Sequence, residues 1–299
     1  NYPPPYFNRR WYESNDVVAC ISKVTYDVVG QVAPDVERHY VPHSINPRHF
    51  YKKDKEQIQE YKDEFFGEND QRVTFFWNNR NARRKLPGSV LWWFNEFAEE
   101  VGPENVRLIM HTAPKDRVGQ DLLTMLSDLG ADDGRIQISK DRLKPEQLAS
   151  IYNAVDCTIN ISDAEGFGLG TLESLACGTP IIANKTGGLQ EQVTDGKEEF
   201  GVALEPVSKA IIGSQQVPYI YEDRVSKEDF IAALHKIYNM SEDERDALGE
   251  KGRQHMQENY SFEKYREQWV ELMDSVYDRM GSWENRKTTD SVWQLQEIA

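Results

Sequence analysis

The sequence predicts a doubly wound parallel α/β sheet with helices on both faces. Three observations carry this. From Arg72 onward, short strand-like runs alternate with segments of helical period, the pattern of parallel strands joined by helical crossovers. Runs such as Cys157 to Ile161 show no solvated face, which implies burial on both sides. The residues with chemical potential fall at the carboxyl ends of the predicted strands, where sheets of this kind bind ligands.

The elements follow in order. Residues 6 to 42 read as helix, strand (Val17 to Cys20), helix (Ser22 to Val32) and strand (Glu37 to Val41). Pro42 to Pro47 is a linker with two prolines, and Lys52 to Phe65 is a charged amphipathic helix. Strands are expected at Val73–Trp77, Val106–His111, Ile136–Ile138, Cys157–Ile161, Pro180–Asn184 and Gly201–Leu204. Helices are expected near Ser89–Val101, Gly119–Leu129, Pro145–Asn153, Leu169–Cys177 and Leu189–Val193. Pro206 to Asp223 has no helical period and reads as a surface hairpin inserted into the pattern. From Ser226 the chain is helical: Asp229–Tyr238, then Ser241–Glu258 with Ser241 and Glu244 spaced as a capping box, then Phe262–Met280. Trp283 to Ala299 shows no clear repeat. This divides the chain into residues 1–47, 48–260 and 261–299.

Residues 165 to 193 are the most informative run. Glu165 and Glu173 are eight apart, with Gly166, Gly168 and Gly170 between them. Thr179 to Ala183 then reads as a buried strand, and Gly187-Gly188 as a turn. A strand thus ends in a glycine-rich loop that opens a helix. Glycine lets backbone approach a ligand closely, and a helix N-terminus offers unpaired N–H groups to an anion. Carboxylates there would repel a bare phosphate but accept hydrogen bonds from hydroxyls. A ligand with phosphate at one end and hydroxyls at the other is a nucleotide sugar. The basic cluster Arg80, Arg83, Arg84, Lys85 follows the strand Val73–Trp77. A solvated loop is the plain reading of such a cluster; its place after a strand favours a diphosphate clamp.

The run from Glu165 to Glu173 resembles the E-x7-E donor motif of retaining glycosyltransferase family 4, and the resemblance extends from about Asp16 to Trp269. Arg80 and Lys85 have the spacing of that family's Arg and Lys. Ile151 to Asp156 resembles its lead into the strand before E-x7-E, and Asp16 to Ser22 the end of its first domain. His43-Ser44-Ile45-Asn46 resembles its interdomain linker, with Ser44 where the family has glycine. The resemblance implies a Rossmann-like, GT-B type C-terminal donor-binding domain. Before it stand the last elements of a preceding Rossmann-like domain, most of which is expected upstream, and after it a helical tail that crosses back. It implies that Glu173 holds the nucleotide ribose, that Glu165 contacts the transferred sugar, and that the N–H groups of Phe167, Gly168 and Leu169, beside Gly166, face the sugar and diphosphate. Arg80 and Lys85 would neutralise the leaving diphosphate. The loop at Ile138 and Ser139, reaching to Lys140, would meet the base. The donor would be UDP- or GDP-linked, with no cofactor beyond this substrate and no metal; the acceptor stays open. A nucleotide-sugar 2-epimerase of the same architecture, or a non-catalytic nucleotide-sugar-binding module, are the alternatives. The expectation from the truncated pattern is donor binding without efficient transfer.

Composition bounds the rest. With 299 residues, 39% hydrophobic, the chain has material for a substantial core. A formal charge of −15 disfavours general nucleic-acid binding, which depends on neutralising phosphates. No run of eighteen apolar residues occurs, so no membrane span is expected. Cys20, Cys157 and Cys177 sit among apolar neighbours, which points to buried thiols and a reducing, cytoplasmic setting. The histidines lack metal-ligand spacing and no Asp-x-Asp occurs. His111, at a strand end, reads as a packed, hydrogen-bonded residue. Gly166-Phe167-Gly168-Leu169-Gly170-Thr171 fails the dinucleotide fingerprint G-x-G-x-x-G, because its third glycine comes one residue early.

Overall fold

A computed structural model describes residues 2–281; Trp283 and Trp293 lie outside the described residues. The chain opens with a 3-10 turn at Tyr6–Asn8 and α1 (Arg9–Glu13). A βαβ unit follows: β1 (Val17–Cys20), α2 (Lys23–Val32) and β2 (Glu37–Tyr40). Its strands are parallel, with Val17 opposite Glu37 and Cys20 opposite Tyr40. The Ser22 hydroxyl starts α2 by accepting from the Thr25 N–H.

After α3 (Lys55–Phe66) come β3 (Val73–Asn78), α4 (Pro87–Val101), β4 (Val106–His111), α5 (Leu122–Leu129), β5 (Ile136–Ser139) and α6 (Pro145–Ala154). Then come β6 (Cys157–Asn160), α7 (Leu169–Ala176), β7 (Ile181–Asn184), α8 (Leu189–Val193) and β8 (Val202–Leu204). These six strands form one parallel sheet in the order β5-β4-β3-β6-β7-β8. The order reverses between β3 and β6, so a crevice opens outside their carboxyl ends.

Strand alternation sorts the core onto the two faces. Phe75 and Trp77 of β3 join Phe94 of α4, Leu122 of α5 and Phe230 in one cluster. Phe76, between them, joins Tyr152, Leu172 and Tyr260 in the other. Both clusters are buried, as the strand composition anticipates. The three cysteines are free and buried.

The insertion is an antiparallel hairpin, β9 (Ser208–Ile212) and β10 (Ile220–Arg224). It is more than a surface feature, because Glu222 is buried and Asp223 donates its N–H to the Asp163 carbonyl at 2.7 Å. Three helices end the described chain: α9 (Lys227–Tyr238), α10 (Glu242–Tyr260) and α11 (Phe262–Met280). Ser241 and Glu244 form the expected capping box of α10. α5 starts at Leu122, three residues later than expected. Asp121 is the better cap, accepting from the Thr124 N–H, and Asn81 holds the loop before it through Ala113 and Gln120 at 3.1 and 2.7 Å.

Candidate functional site

The site is built from the loops after β3 and β6. Beyond Asn78 the chain passes Arg80 and enters a 3-10 turn at Arg83–Lys85. That turn buries Lys85 and aims its ammonium at the Glu165 carboxylate, with which it pairs. Arg84 reaches the same Glu165 oxygen at 3.0 Å and the Ala164 carbonyl at 2.7 Å. Backbone joins the loops as well, the Asp163 N–H donating to the Arg84 carbonyl at 2.8 Å. Burial lowers the pKa of Lys85, and Glu165 opposes that shift.

Arg80 stands apart from this pair. Its guanidinium is 68% exposed and is held by Asp116 at 2.9 and 3.2 Å. The cations gathered at Glu165 are therefore Lys85 and Arg84. Residues 84 and 85 stand in the turn beside the Glu165 loop, while residue 80 precedes the turn and lies next to Asp116.

Glu165 opens the glycine-rich loop, and Gly166 after it is exposed. Phe167 is buried, edge-on to His43 and Tyr260 at 5.3 and 5.8 Å between centroids. Gly168 has a φ of 97°, a left-handed geometry that side chains disfavour, and precedes Leu169, the exposed first residue of α7. The Thr171 N–H donates to the Gly168 carbonyl at 3.1 Å, and the N–H groups of Leu169 and Gly170 before it have no partner inside the helix. Gly187 also has positive φ and packs so tightly that a Cβ there would overlap the Glu165 carbonyl oxygen. The Gly187-Gly188 turn after β7 thus forms the floor beneath the Glu165 loop.

Glu173 lies farther along α7, facing α6 and β3. It accepts from the Tyr152 hydroxyl at 3.0 Å, which in turn accepts from Asn78 Nδ2 at 3.0 Å. Burial pushes the Glu173 carboxyl up to about 7, against the lowering effect of the Tyr152 hydrogen bond. Ile138 packs on the core, and Ser139 pairs its hydroxyl with His111 Nδ1 at 3.0 Å. Burial lowers the His111 pKa. These two residues stand at the β4–β5 side of the crevice, apart from the two glutamates.

Sequence reasoning missed several participants. Tyr152 lies in the Ile151 to Asp156 stretch already singled out, but its pairing with Glu173 depends on the approach of α6 and α7. Arg84 belongs to the basic cluster read as a diphosphate clamp, but its pairing with Glu165 is not legible there. Glu222 had no local signal, because its partner Arg83 is 139 positions away. Two cavities, of about 480 and 290 Å³, lie at the opposite ends of the strands, around Thr74 and Asp156. Their charged linings are engaged in internal pairs such as Arg72–Asp70 and Arg245–Asp156, so the carboxyl-end crevice is the better candidate. Among the described residues no cluster of His, Cys, Asp and Glu has the makings of a metal site, and no helix is long and apolar enough to cross a membrane.

Residues 137–255 match the family model described as glycosyl transferases group 1. The match contains Glu165 and Glu173 and begins after Lys85. The chain is similar to D-inositol 3-phosphate glycosyltransferase of Corynebacterium urealyticum, 35% identical over 132 residues, which are 44% of this chain and 26% of that protein. The counterpart from Arthrobacter sp. is 32% identical over 117 residues, 38% of this chain and 27% of that protein. The matched stretch thus spans about a quarter of these relatives' length. Among solved structures, sucrose-phosphate synthase from Thermosynechococcus elongatus aligns with a TM-score of 0.73 at 20% identity, covering 91% of this chain and 61% of that one. Anabaena HepE in complex with UDP-glucose aligns at 0.69 with 15% identity, covering 90% and 68%. The chain shares the α/β, GT-B type fold of these glycosyltransferases.

Proposed function

We propose that this chain carries the donor half of a retaining, family 4 type glycosyltransferase site, which takes a sugar from a UDP- or GDP-linked donor. The observation that supports this most is the joining of Glu165 to Lys85 and Arg84 at the sheet's switch point, with Glu173 on the same loop-and-helix unit. The donor's diphosphate lies toward the cations and the first turn of α7. Its sugar hydroxyls donate to Glu165, and the ribose hydroxyls donate to Glu173.

Negative charge grows on the leaving phosphate as the glycosidic bond breaks. A buried ammonium and a neighbouring guanidinium, already in place, stabilise that charge without reorganising. Glu165 is a poor candidate for a nucleophile, since both cations draw on one of its oxygens. The two-carboxylate geometry of glycosidases therefore does not apply. The cations supply what a divalent ion supplies elsewhere, so EDTA dialysis is expected to leave the rate unchanged; a loss restored by Mn²⁺ overturns this part.

The test is incubation with UDP- and GDP-sugars, with and without acceptors, reading transfer, donor hydrolysis and epimerised donor separately. Glu165→Gln is expected to lower turnover, and Glu173→Ala to weaken nucleotide binding, each by about 1.5–3 kcal/mol, the range for a hydrogen bond to a charged group. Parent-like behaviour of both variants refutes the assignment. Epimerised donor without transfer points instead to a 2-epimerase.

A further inference from the structure

We propose that Glu222, on the inserted β9–β10 hairpin, is a positioning residue that fixes the Arg84–Lys85 cation pair by clamping Arg83. This rests on the donor-site reading above and extends it to a segment that lies outside the glycine-rich loop and the basic cluster. Glu222 is 1% exposed. It accepts a two-pronged hydrogen bond from Arg83, at 2.8 and 2.6 Å, and a third from Arg224 at 2.8 Å. Arg83 is the first residue of the 3-10 turn whose next two residues point at Glu165.

The hairpin grips the other loop of the site as well. The Asp223 N–H donates to the Asp163 carbonyl at 2.7 Å, and the Asp163 N–H donates to the Arg84 carbonyl at 2.8 Å. Arg224 pairs at 2.6 Å with the fully buried Asp163 carboxylate. Asn184 donates to the Ser162 and Asp223 carbonyls at 2.9 and 2.8 Å, and Thr186 to the Asp223 carboxylate at 2.8 Å. Strand β10 thus touches the loops after β3, β6 and β7 at once.

Burying a charge this way is costly unless it is paired in good geometry, as Glu222 is with Arg83 and Arg224. An insertion that only decorated the surface would have no need of it. A two-pronged guanidinium–carboxylate bond fixes orientation as well as distance. Releasing Arg83 frees the turn, and the cations lose their aim at the diphosphate while Glu173 and the base side of the crevice keep theirs.

The experiment uses the whole chain with Glu222→Gln and Arg83→Gln, and titrates UDP, GDP, uridine and guanosine by calorimetry. Arg83 is 57% exposed, so Arg83→Gln tests the clamp even where Glu222→Gln, which unbalances buried charges, fails to fold. The expected result is a diphosphate affinity weakened about tenfold, the scale of one charge-assisted contact, with nucleoside affinity unchanged. In turnover the variants should lose kcat more than they raise KM. If the parent binds a nucleoside diphosphate and the folded variants bind it equally well, or lose nucleoside and diphosphate in equal measure, the clamp is refuted and the donor site stands. If the parent binds no nucleoside diphosphate, the donor-site reading fails and takes this proposal with it.

Discussion

Glu173 offers the clearest chemistry at the scale of a single residue. Its carboxyl ionises near 7 because burial disfavours the charged form. Ribose hydroxyls are donors, and the ionised carboxylate is the form that accepts from both. Binding a nucleoside is then coupled to proton release, so uridine or guanosine affinity should strengthen as pH rises from about 6 to about 8. Glu173→Gln should flatten that profile; a parent profile that is already flat would falsify the ribose assignment. Stability runs the other way. The folded value lies above the reference value of 4.5, so the folded chain holds the proton more tightly than the unfolded one. That contribution is complete below pH 4.5 and is lost as pH rises through about 7. Thermal melts of Glu173→Gln should therefore gain on the parent between pH 5 and pH 8, if the amide packs as the acid does.

At the scale of elements, the loops after β3, β6 and β7 form one unit. Gly187 decides how closely two of them approach, since a Cβ there would overlap the Glu165 carbonyl and its φ is positive. Gly187→Ala should destabilise by about 2 kcal/mol or more, through strain and overpacking, and should cost activity as well because Glu165 must move. A parent-like melting temperature and rate would show that this turn is not the floor of the site. The sequence shows much of this unit. The alternation of strands and helices, the glycines around the two glutamates and the capping box at Ser241 are local patterns, each written within a few residues. Contacts across the fold leave no such trace. The Tyr152–Glu173 bond depends on how α6 and α7 lie together, and the Arg83–Glu222 clamp joins residues 139 apart. Spacing and the strand before it mark Arg80, but its bond with Asp116, on the loop after β4, leaves no trace in the sequence.

At the scale of the whole molecule, the βαβ unit of β1, α2 and β2 is joined to the six-stranded unit through Glu191. This carboxylate of α8 is largely buried and accepts from the Lys23 N–H at 3.3 and 3.2 Å, at the start of α2. A carboxyl oxygen placed there satisfies an unpaired helix donor. The backbone of the same residue serves the opposite side: its carbonyl accepts from the Tyr260 hydroxyl at 3.0 Å and lies 3.0 Å from His255 Nε2. α2, α8 and α10 thus meet at one residue. A second link, Arg279 of α11 to Glu37 of β2 at 2.7 Å on both prongs, is exposed, and exposed pairs contribute little. The two links therefore make opposite predictions. Arg279→Ala should leave the melting temperature close to the parent's. Glu191→Ala should cost about 1–3 kcal/mol, the range for stranding a buried partner, and should loosen the junction between the units. Limited proteolysis should then cut faster in the segment 42–47, which connects them. Burial raises the Glu191 pKa, against the lowering effect of the Lys23 N–H, so the folded chain holds this proton more tightly than the unfolded one. The stability Glu191 contributes to the parent is fully present below the unfolded pKa and falls as pH rises through the raised folded value. The gap between parent and Glu191→Ala should therefore be widest in acid and narrow toward neutral pH. A gap that widens with pH would mean that the ionised carboxylate carries the junction, and an unchanged cutting rate would mean that the units are held together elsewhere.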